Sequence, residues 1–215
     1  MGGVIKRILV TAGPTREKID PVRYISNYST GRIGYEIASA AKSRGLSVTL
    51  VSGPTLLAAP KGVKFVSVES ADDMRRAVLK FLNWSDCVIM TAAVADWRPR
   101  YSARRKMKKL GVRNIELVEN PDILAEVGRM KKNRVTVGFA LETENLEKNA
   151  LKKLKDKNLD IIVANRLTPK RSVFGDNILN VVTIDRFGNK TEIFNKSKSK
   201  LAKIILDKAL KFRIH

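Results

Sequence analysis

The 215-residue sequence predicts an α/β fold: a doubly wound, mostly parallel sheet of the Rossmann-like kind with a small antiparallel hairpin addition. Three observations predict it. Short β-rich runs alternate with helical periods as far as residue 164. The run at 87–92 is apolar throughout, as a strand covered on both faces must be. The last strand pair flanks a turn instead of a helix.

Residues 8–12 (Ile-Leu-Val-Thr-Ala) form the first buried strand and run into Gly13-Pro14, a loop signal. Ser29-Thr30-Gly31 opens a helix in which Ile33, Ile37 and Ala41 recur every fourth residue until Gly45 stops it. Strands follow at 48–51, closed by Gly53-Pro54, and at 63–68, with a helix at 71–82. Beyond the apolar strand, Asn120-Pro121-Asp122 caps a helix carrying Ile123, Leu124 and Val127. A strand at 135–140, a helix at 145–157 and a strand at 161–164 continue the rhythm. Segments 180–184 and 191–194 flank Asp185-Arg186-Phe187-Gly188-Asn189 as a hairpin, and a helix at 198–212 closes the chain. No repeat, low-complexity linker or boundary divides it, so 1–215 reads as a single domain.

Composition removes several chemistries. Cys87 is the only cysteine and His215, the last residue, the only histidine. An intrachain disulfide is impossible, a Cys/His zinc site is excluded, and no metal site built from side chains is expected. Triads of the Ser-His-Asp or Cys-His type would need the terminal histidine to fold back. With no run of 18 apolar residues and no signal-peptide pattern, the expectation is a cytoplasmic protein with no membrane association.

The 42 Lys and Arg against 21 Asp and Glu give a formal charge of +21, which asks for an anionic partner or a solvation role. Only 6% of residues are aromatic and no zinc-finger or RNA-binding signature is present, so no nucleic-acid partner is expected. Lysines such as Lys148, Lys152, Lys155, Lys198, Lys203 and Lys211 read as a solvated surface. Residues 98–109 differ, because seven cations there stand without an acid. Such a segment is expected to be either disordered or ordered by a polyanion such as a nucleoside triphosphate.

In doubly wound sheets ligands bind beyond the carboxyl ends of the strands. Small or polar residues follow the apolar runs at Gly13-Pro14, Ser52-Gly53, Ala92 to Asp96, Gly138-Phe139-Ala140 and Ala164-Asn165. Gly31-Arg32-Ile33-Gly34 opens the first crossover helix, where main-chain amides attract phosphate or carboxylate. The G-x-G-x-x-G fingerprint is absent, and the 13–31 loop is far longer than an ordinary βα turn, which weakens a nicotinamide reading. Within that loop Asn27 and Arg23 offer polar donors to a substrate carboxylate; alternatively Asn27 and Ser29 satisfy local backbone groups only.

Several stretches carry a more specific signal, in chain order. They are Thr11-Ala12-Gly13-Pro14-Thr15, Asp20-Pro21-Val22-Arg23-Tyr24-Ile25-Ser26-Asn27, Ala92-Ala93-Val94-Ala95-Asp96-Trp97-Arg98-Pro99 and Lys106-Met107-Lys108-Lys109. Asn120-Pro121-Asp122-Ile123-Leu124, Val137 to Thr143 and Lys157-Asn158-Leu159-Asp160 complete them. In these motifs the chain closely resembles the phosphopantothenoylcysteine synthetase family, the second activity of the coenzyme A biosynthetic flavoproteins.

The resemblance implies a ligase that joins 4′-phosphopantothenate to L-cysteine through an acyl-cytidylate, releasing pyrophosphate and then CMP. It implies CTP, ahead of ATP, as co-substrate, with Mg2+ accompanying the triphosphate. It also implies a homodimer and a phosphopantothenoylcysteine decarboxylase, fused or separate. By the match, Lys106 is the first lysine of the K-x-K-K motif and serves nucleotide binding and conversion of the intermediate. Asn27 holds the acyl-cytidylate, and Arg23 meets a phosphate or carboxylate of the substrate. Met90, Thr91 and Ala92 pack close to the nucleotide, and Asp96 recognises it. The stretch Pro121, Asp122, Ile123 and Leu124 binds nucleotide at a helix start, with amides from its non-proline residues, and Phe139 can face the base.

Lys153 and Lys157 match two CTP-contacting lysines. Helix geometry supports them, since at about 100° per residue both fall beside Ala150 and the apolar stripe, unlike Lys148, Lys152 and Lys155. The chain departs from the family at Val173-Phe174-Gly175-Asp176-Asn177, only similar to the expected Gly-Phe-Gly-Ser-Asp-x-Asn, and it carries no flavin decarboxylase domain. It is therefore expected to be a free-standing synthetase or the carboxyl half of a fused enzyme. Two other readings remain at this point: an NAD(P)-dependent reductase, which would bind NADPH, and a basic nucleic-acid-binding protein.

Overall fold

A computed structural model describes residues 4–109, 114–166 and 178–212. The first half contains β1 (Arg7–Ala12), β2 (Arg16–Lys18), β3 (Tyr24–Ser26), α1 (Arg32–Ser43), β4 (Ser47–Ser52), β5 (Lys64–Ser67) and α2 (Ala71–Leu82). Next come β6 (Cys87–Met90), β7 (Trp97–Pro99), β8 (Leu117–Glu119), α3 (Ile123–Arg129) and β9 (Val135–Glu142). The chain continues through α4 (Leu146–Asp156), β10 (Ile161–Arg166), β11 (Ile178–Asp185), β12 (Lys190–Ser197) and α5 (Lys198–Lys211).

One sheet holds eight of the described strands, in the order β12-β11-β10-β9-β6-β1-β4-β5. The six from β5 to β10 in that row are parallel, while β11 and β12 join antiparallel at the edge. The predicted hairpin therefore extends the main sheet. Side chains alternate between two covered faces, which is why β1 and β6 are apolar without interruption. Ile8 and Val10 pack with Ile37 of α1 and Ile205 of α5, whereas Leu9 packs with Met74 and Val78 of α2 and Val127 of α3. Further along that second face, Ala150 and Leu154 of α4 cover Ile162 and Ala164.

The opposite end of the sheet is tied by buried ions. Asp160, fully buried at the start of β10, takes Lys131 Nζ at 2.6 Å and the Thr136 amide at 2.8 Å. Arg134, 7% exposed, donates to carbonyls of Leu82, Met130 and Lys131, covering the carboxyl ends of α2 and α3.

Two small antiparallel pairs were not expected. β2 and β3 fold within the 13–31 loop, pairing Arg16 with Ser26 and Lys18 with Tyr24, and β7 pairs with β8. Three-residue strands give too little alternation to read. Glu17, 4% exposed, faces inward and accepts the Ala71 amide at 2.8 Å, so the first pair is anchored to the start of α2.

Residues 98–109, expected to be either disordered or ordered by a polyanion, make contacts within the chain. Arg100 pairs with Glu116, the Arg98 guanidinium donates to Glu119 O, and the Ala103 amide donates to Ile19 O. One acid, Glu116, reaches the run from elsewhere in the chain. The strand expected at 87–92 also ends earlier, at Met90, because the Thr91 hydroxyl donates to Thr11 O at 2.7 Å and turns the chain over the neighbouring strand. None of the described helices is long and apolar enough to cross a membrane. The Val173 to Asn177 stretch and His215 lie outside the described residues.

Candidate functional site

The strand order reverses between β1 and β6: successive parallel strands add to one side of β1 up to β5, and to the other from β6 onward. A crevice must open beyond the carboxyl ends at that point, since the loops leaving the two strands diverge. A cleft of about 800 Å3 lies there and extends along the sheet edge towards β11.

Its floor is the end of β6 and the following turn, Met90 to Asp96. The Ala92 amide donates to the Thr11 hydroxyl at 3.3 Å, and the Ala95 amide to the buried Thr15 hydroxyl at 2.9 Å, so β1 and its loop hold this turn. One wall is the start of α1, Ser29 to Ile33. That wall stands close to the sheet through Gly34, where a Cβ would come within 2.6 Å of both Ala12 Cβ and Thr91 Oγ1. Gly31 supplies the bend at φ +72°; Ser29 Oγ accepts the Gly31 amide at 3.2 Å and Thr30 Oγ1 the Arg32 amide at 3.5 Å.

The opposite wall is Asn120 to Leu124 with Lys153 and Lys157. Asp122 caps α3 by accepting the Ala125 amide at 2.9 Å, and it pairs with Lys157 at 2.7 Å. Burial alone would raise the Asp122 carboxyl, but the Lys157 and Ala125 contacts outweigh it and hold the group below the usual range. Lys153 shows the converse. Burial first, and the like charge of Lys157 second, push its ammonium below the ordinary lysine value. A buried cation beside a second cation is stabilised by an arriving anion. Phe139 completes the lining from β9, and its ring also packs on the core shared by α1 and α5.

Asn27, Met90, Thr91, Ala92 and Asp96 thus come together in the cleft with Pro121 to Leu124, Phe139, Lys153 and Lys157. The Asn27 amide donates to Val94 O at 2.9 Å and Ala93 O at 3.4 Å, tying the long loop to the floor. Arg23 and Lys106 are not among the lining residues. Arg23 pairs with Asp20 at 2.8 Å and donates to Met107 O at 2.7 Å, and Lys106 is exposed beside that contact. They are neighbours of one another at the hairpin end of the site.

Three residues escaped the sequence reading. Asn120 joins the wall to the floor, donating to Ala95 O at 2.8 Å. Asp20, 2% exposed, is the acceptor that organises the Arg23 turn. Lys198 corrects the assignment of helix lysines to a solvated face: it is 7% exposed and lines the cleft. Its place just after a β-strand end, as the first residue of a helix, was the available signal.

Residues 4–212 match the DNA/pantothenate metabolism flavoprotein C-terminal domain. The chain belongs to this family. Among relatives of this flavoprotein C-terminal domain, the coenzyme A biosynthesis bifunctional protein CoaBC of Bacillus subtilis strain 168 is 50% identical over 196 residues, 90% of this chain and 48% of that protein. The CoaBC of Vibrio cholerae is 48% identical over 176 residues, 80% of this chain and 44% of that protein. The chain spans about half the length of the curated relatives it matches. The crystal structure of a CoaBC C-terminal domain superposes with a TM-score of 0.82 at 44% identity, covering 95% of this chain and 94% of the other. A Cab2 variant solved with phosphopantothenate-cysteine shares the fold, with a TM-score of 0.70 at 16% identity over 95% of this chain and 87% of that one.

Within this flavoprotein C-terminal domain the cysteine thiol is structural. Cys87 is fully buried at the base of β6, and burial raises its thiol far above the usual range, so it is not a nucleophile. Among the described residues there is no cluster of three or more metal-ligating side chains.

Proposed function

We propose that this domain is a phosphopantothenate–cysteine ligase that uses CTP. The observation that carries the reading is the cleft itself. It combines the start of α1, which carries no acid in its first turn, a floor of small residues and a partly desolvated Lys153 beside Lys157 at the switch point of a domain 44% identical to a CoaBC C-terminal domain.

In the first step a carboxylate oxygen of 4′-phosphopantothenate attacks the α-phosphorus of CTP, and the bond to the β-phosphate oxygen breaks. Pyrophosphate leaves and an acyl-cytidylate remains. In the second step the cysteine amine attacks the acyl carbon, CMP departs with the electron pair of the acyl–oxygen bond, and the amine loses a proton. Both steps build negative charge on phosphate oxygens, which fixed donors in a water-poor site stabilise. The positive end of α1, with the Ile33 main-chain amide, and the ammoniums of Lys153 and Lys157 are those donors. Asn27 orients the intermediate over Ala92, where any larger side chain would take nucleotide space. Asp96 binds the ribose or base, and Arg23 with Lys106 closes the hairpin end over the acid.

Mg2+ would accompany the triphosphate and would supply partial neutralisation of the phosphate charge. A homodimer is proposed through the two small hairpins, where Tyr24, Trp97 and Leu117 are 47%, 49% and 43% exposed. A phosphopantothenoylcysteine decarboxylase, fused or separate, consumes the product in the cytoplasm.

The test is to incubate the protein with 4′-phosphopantothenate, cysteine, Mg2+ and each nucleoside triphosphate. Equimolar CMP, pyrophosphate and phosphopantothenoylcysteine with CTP support the reading. NADPH binding with no pyrophosphate release would overturn it.

A further inference from the structure

The floor turn of the cleft, Ala93 to Asp96, presents four main-chain carbonyls, and two asparagines divide them. Ala93 O and Val94 O accept the Asn27 amide at 3.4 Å and 2.9 Å, from the long loop after β1. Ala95 O accepts Asn120 Nδ2 at 2.8 Å, and Asp96 O accepts the Asn120 main-chain amide at 2.8 Å. Asn27 reaches the turn from one side of the cleft and Asn120 from the opposite wall.

Asn120 follows β8, and its amide adds one rung to the β7–β8 ladder beyond the Trp97–Glu119 pair. Past that rung its side chain takes the place of a main-chain donor and reaches back to Ala95, which is buried. Its Oδ1 accepts the Arg98 guanidinium at 3.0 Å, and the same nitrogen of Arg98 donates to Glu119 O at 2.6 Å. The carboxamide is thereby fixed in one orientation, oxygen towards Arg98 and nitrogen towards Ala95. A guanidinium only donates and a carbonyl only accepts, so the bridging side chain must offer one acceptor and one donor. A carboxylate lacks the donor, and an aliphatic side chain of the same shape lacks both.

What Asn120 holds belongs to one half of the site. Asp96, exposed to the cleft, is placed by the two carbonyls that Asn120 takes. In the other direction the chain runs straight into Pro121 and Asp122, where Asp122 caps α3 and pairs with Lys157. The other half of the turn is held independently, by Asn27 at Val94 O and by the Thr15 hydroxyl at the Ala95 amide. We infer, on the ligase reading above, that Asn120 is a positioning residue for the nucleotide: it sets Asp96 at a fixed distance from the Pro121 to Leu124 wall. Its own polar atoms are spent on Ala95 and Arg98, so it acts through those neighbours, and the acid at the Asn27 end does not depend on it.

The experiment measures CTP and 4′-phosphopantothenate binding calorimetrically in the full chain and in Asn120→Leu, which keeps the shape and adds no charge. The variant leaves the buried Ala95 carbonyl without its donor, so CTP should weaken about tenfold or more, while 4′-phosphopantothenate stays within about twofold. A residue that only packs would leave CTP binding unchanged in this variant, and one that only holds the fold together would weaken both ligands equally. Either result, or weakening of 4′-phosphopantothenate alone, would overturn the inference. Wild-type protein that binds no CTP would remove the ligase reading and this inference together. Should Asn120→Leu not fold, a crystal structure of the unaltered protein with CTP decides. An Asp96 carboxylate oxygen within about 3.2 Å of the ribose or base, with the bond from Asn120 to Ala95 O kept, supports the assignment. An Asp96 remote from the nucleotide refutes it.

Discussion

The carboxylate of Asp20 accepts the main-chain amide of Met107 at 3.1 Å, across 87 positions of sequence. The same carboxylate accepts the Val22 and Arg23 amides at 2.8 Å each, and Arg23 in turn donates to Met107 O at 2.7 Å. Both main-chain groups of Met107 are therefore held by one turn, and Lys106 is set beside it. Arg23 and Lys106, separate motifs in the sequence, form one structural unit.

This unit predicts that Asp20→Asn lowers turnover by about the same factor as Lys106→Gln, and that the double variant is no worse than either alone. Coupled residues are non-additive in this way. Steady-state kinetics on the three variants checks it, with faster amide exchange at 103–109 in Asp20→Asn as the structural readout. Additive losses would mean that Asp20 acts elsewhere.

Acid should release the same contact. Burial would raise the Asp20 carboxyl, but the Val22, Met107 and Arg23 amides and the Arg23 charge outweigh it and hold it at about 2, below the ordinary 3.8. A folded-state value below the unfolded one stabilises the fold above the unfolded value, and the contribution is lost as pH falls from 3.8 towards about 2. Denaturant midpoints across that window should fall more shallowly in Asp20→Asn than in the wild type.

Lys153 makes nucleotide binding sensitive to alkali. Its ammonium titrates below the ordinary 10.5 in the free protein, chiefly through burial and then through Lys157. A bound phosphate restores the charged form, so binding takes up a proton once Lys153 is neutral, and affinity falls as pH rises. CTP affinity measured from neutral pH upward should decline before 10.5 is reached, and Lys153→Met should flatten that limb while weakening binding at neutral pH.

How the sequence foretold this arrangement differs between the sheet and the site. The strands were legible because burial on both faces writes itself as unbroken apolar runs, as in Cys87 to Met90. Helix α2 was legible as the segment 71–82, and the structure shows its start fixed by a reciprocal cap between Ser70 and Asp73. Asp20 and Met107 were not, because their contact depends on two short hairpins whose strands are three residues each. Lys198 was missed for another reason: periodicity tells which face of a helix is wet, but not that the first residue points into a cleft.

Gly34 tests the packing that sets the width of the cleft. A Cβ there would lie 2.6 Å from Ala12 Cβ and from Thr91 Oγ1 and 3.0 Å from Thr11 O. None of these is the end of a long flexible side chain, so Gly34→Ala should destabilise by about 1–3 kcal/mol, read as a lowered denaturant midpoint. It should also weaken CTP binding by moving α1 outward.

Thr49 offers the opposite sign. Its hydroxyl, on a residue 1% exposed in the middle of β4, has no hydrogen-bond partner among the described residues. Thr49→Val removes the orphaned group at nearly constant volume and should stabilise by about 1 kcal/mol. Thermal unfolding gives the answer, with activity unchanged.

The central claim is that a cleft of amides and lysines activates a carboxylic acid as a mixed anhydride. The most direct measurement is a single turnover with 4′-phosphopantothenate, Mg2+ and α-labelled CTP, with cysteine withheld. Pyrophosphate should be released in proportion to enzyme while the label stays with the protein as acyl-cytidylate, and added cysteine should then release CMP. Formation of CDP and inorganic phosphate, or no pyrophosphate until cysteine is present, would contradict the account.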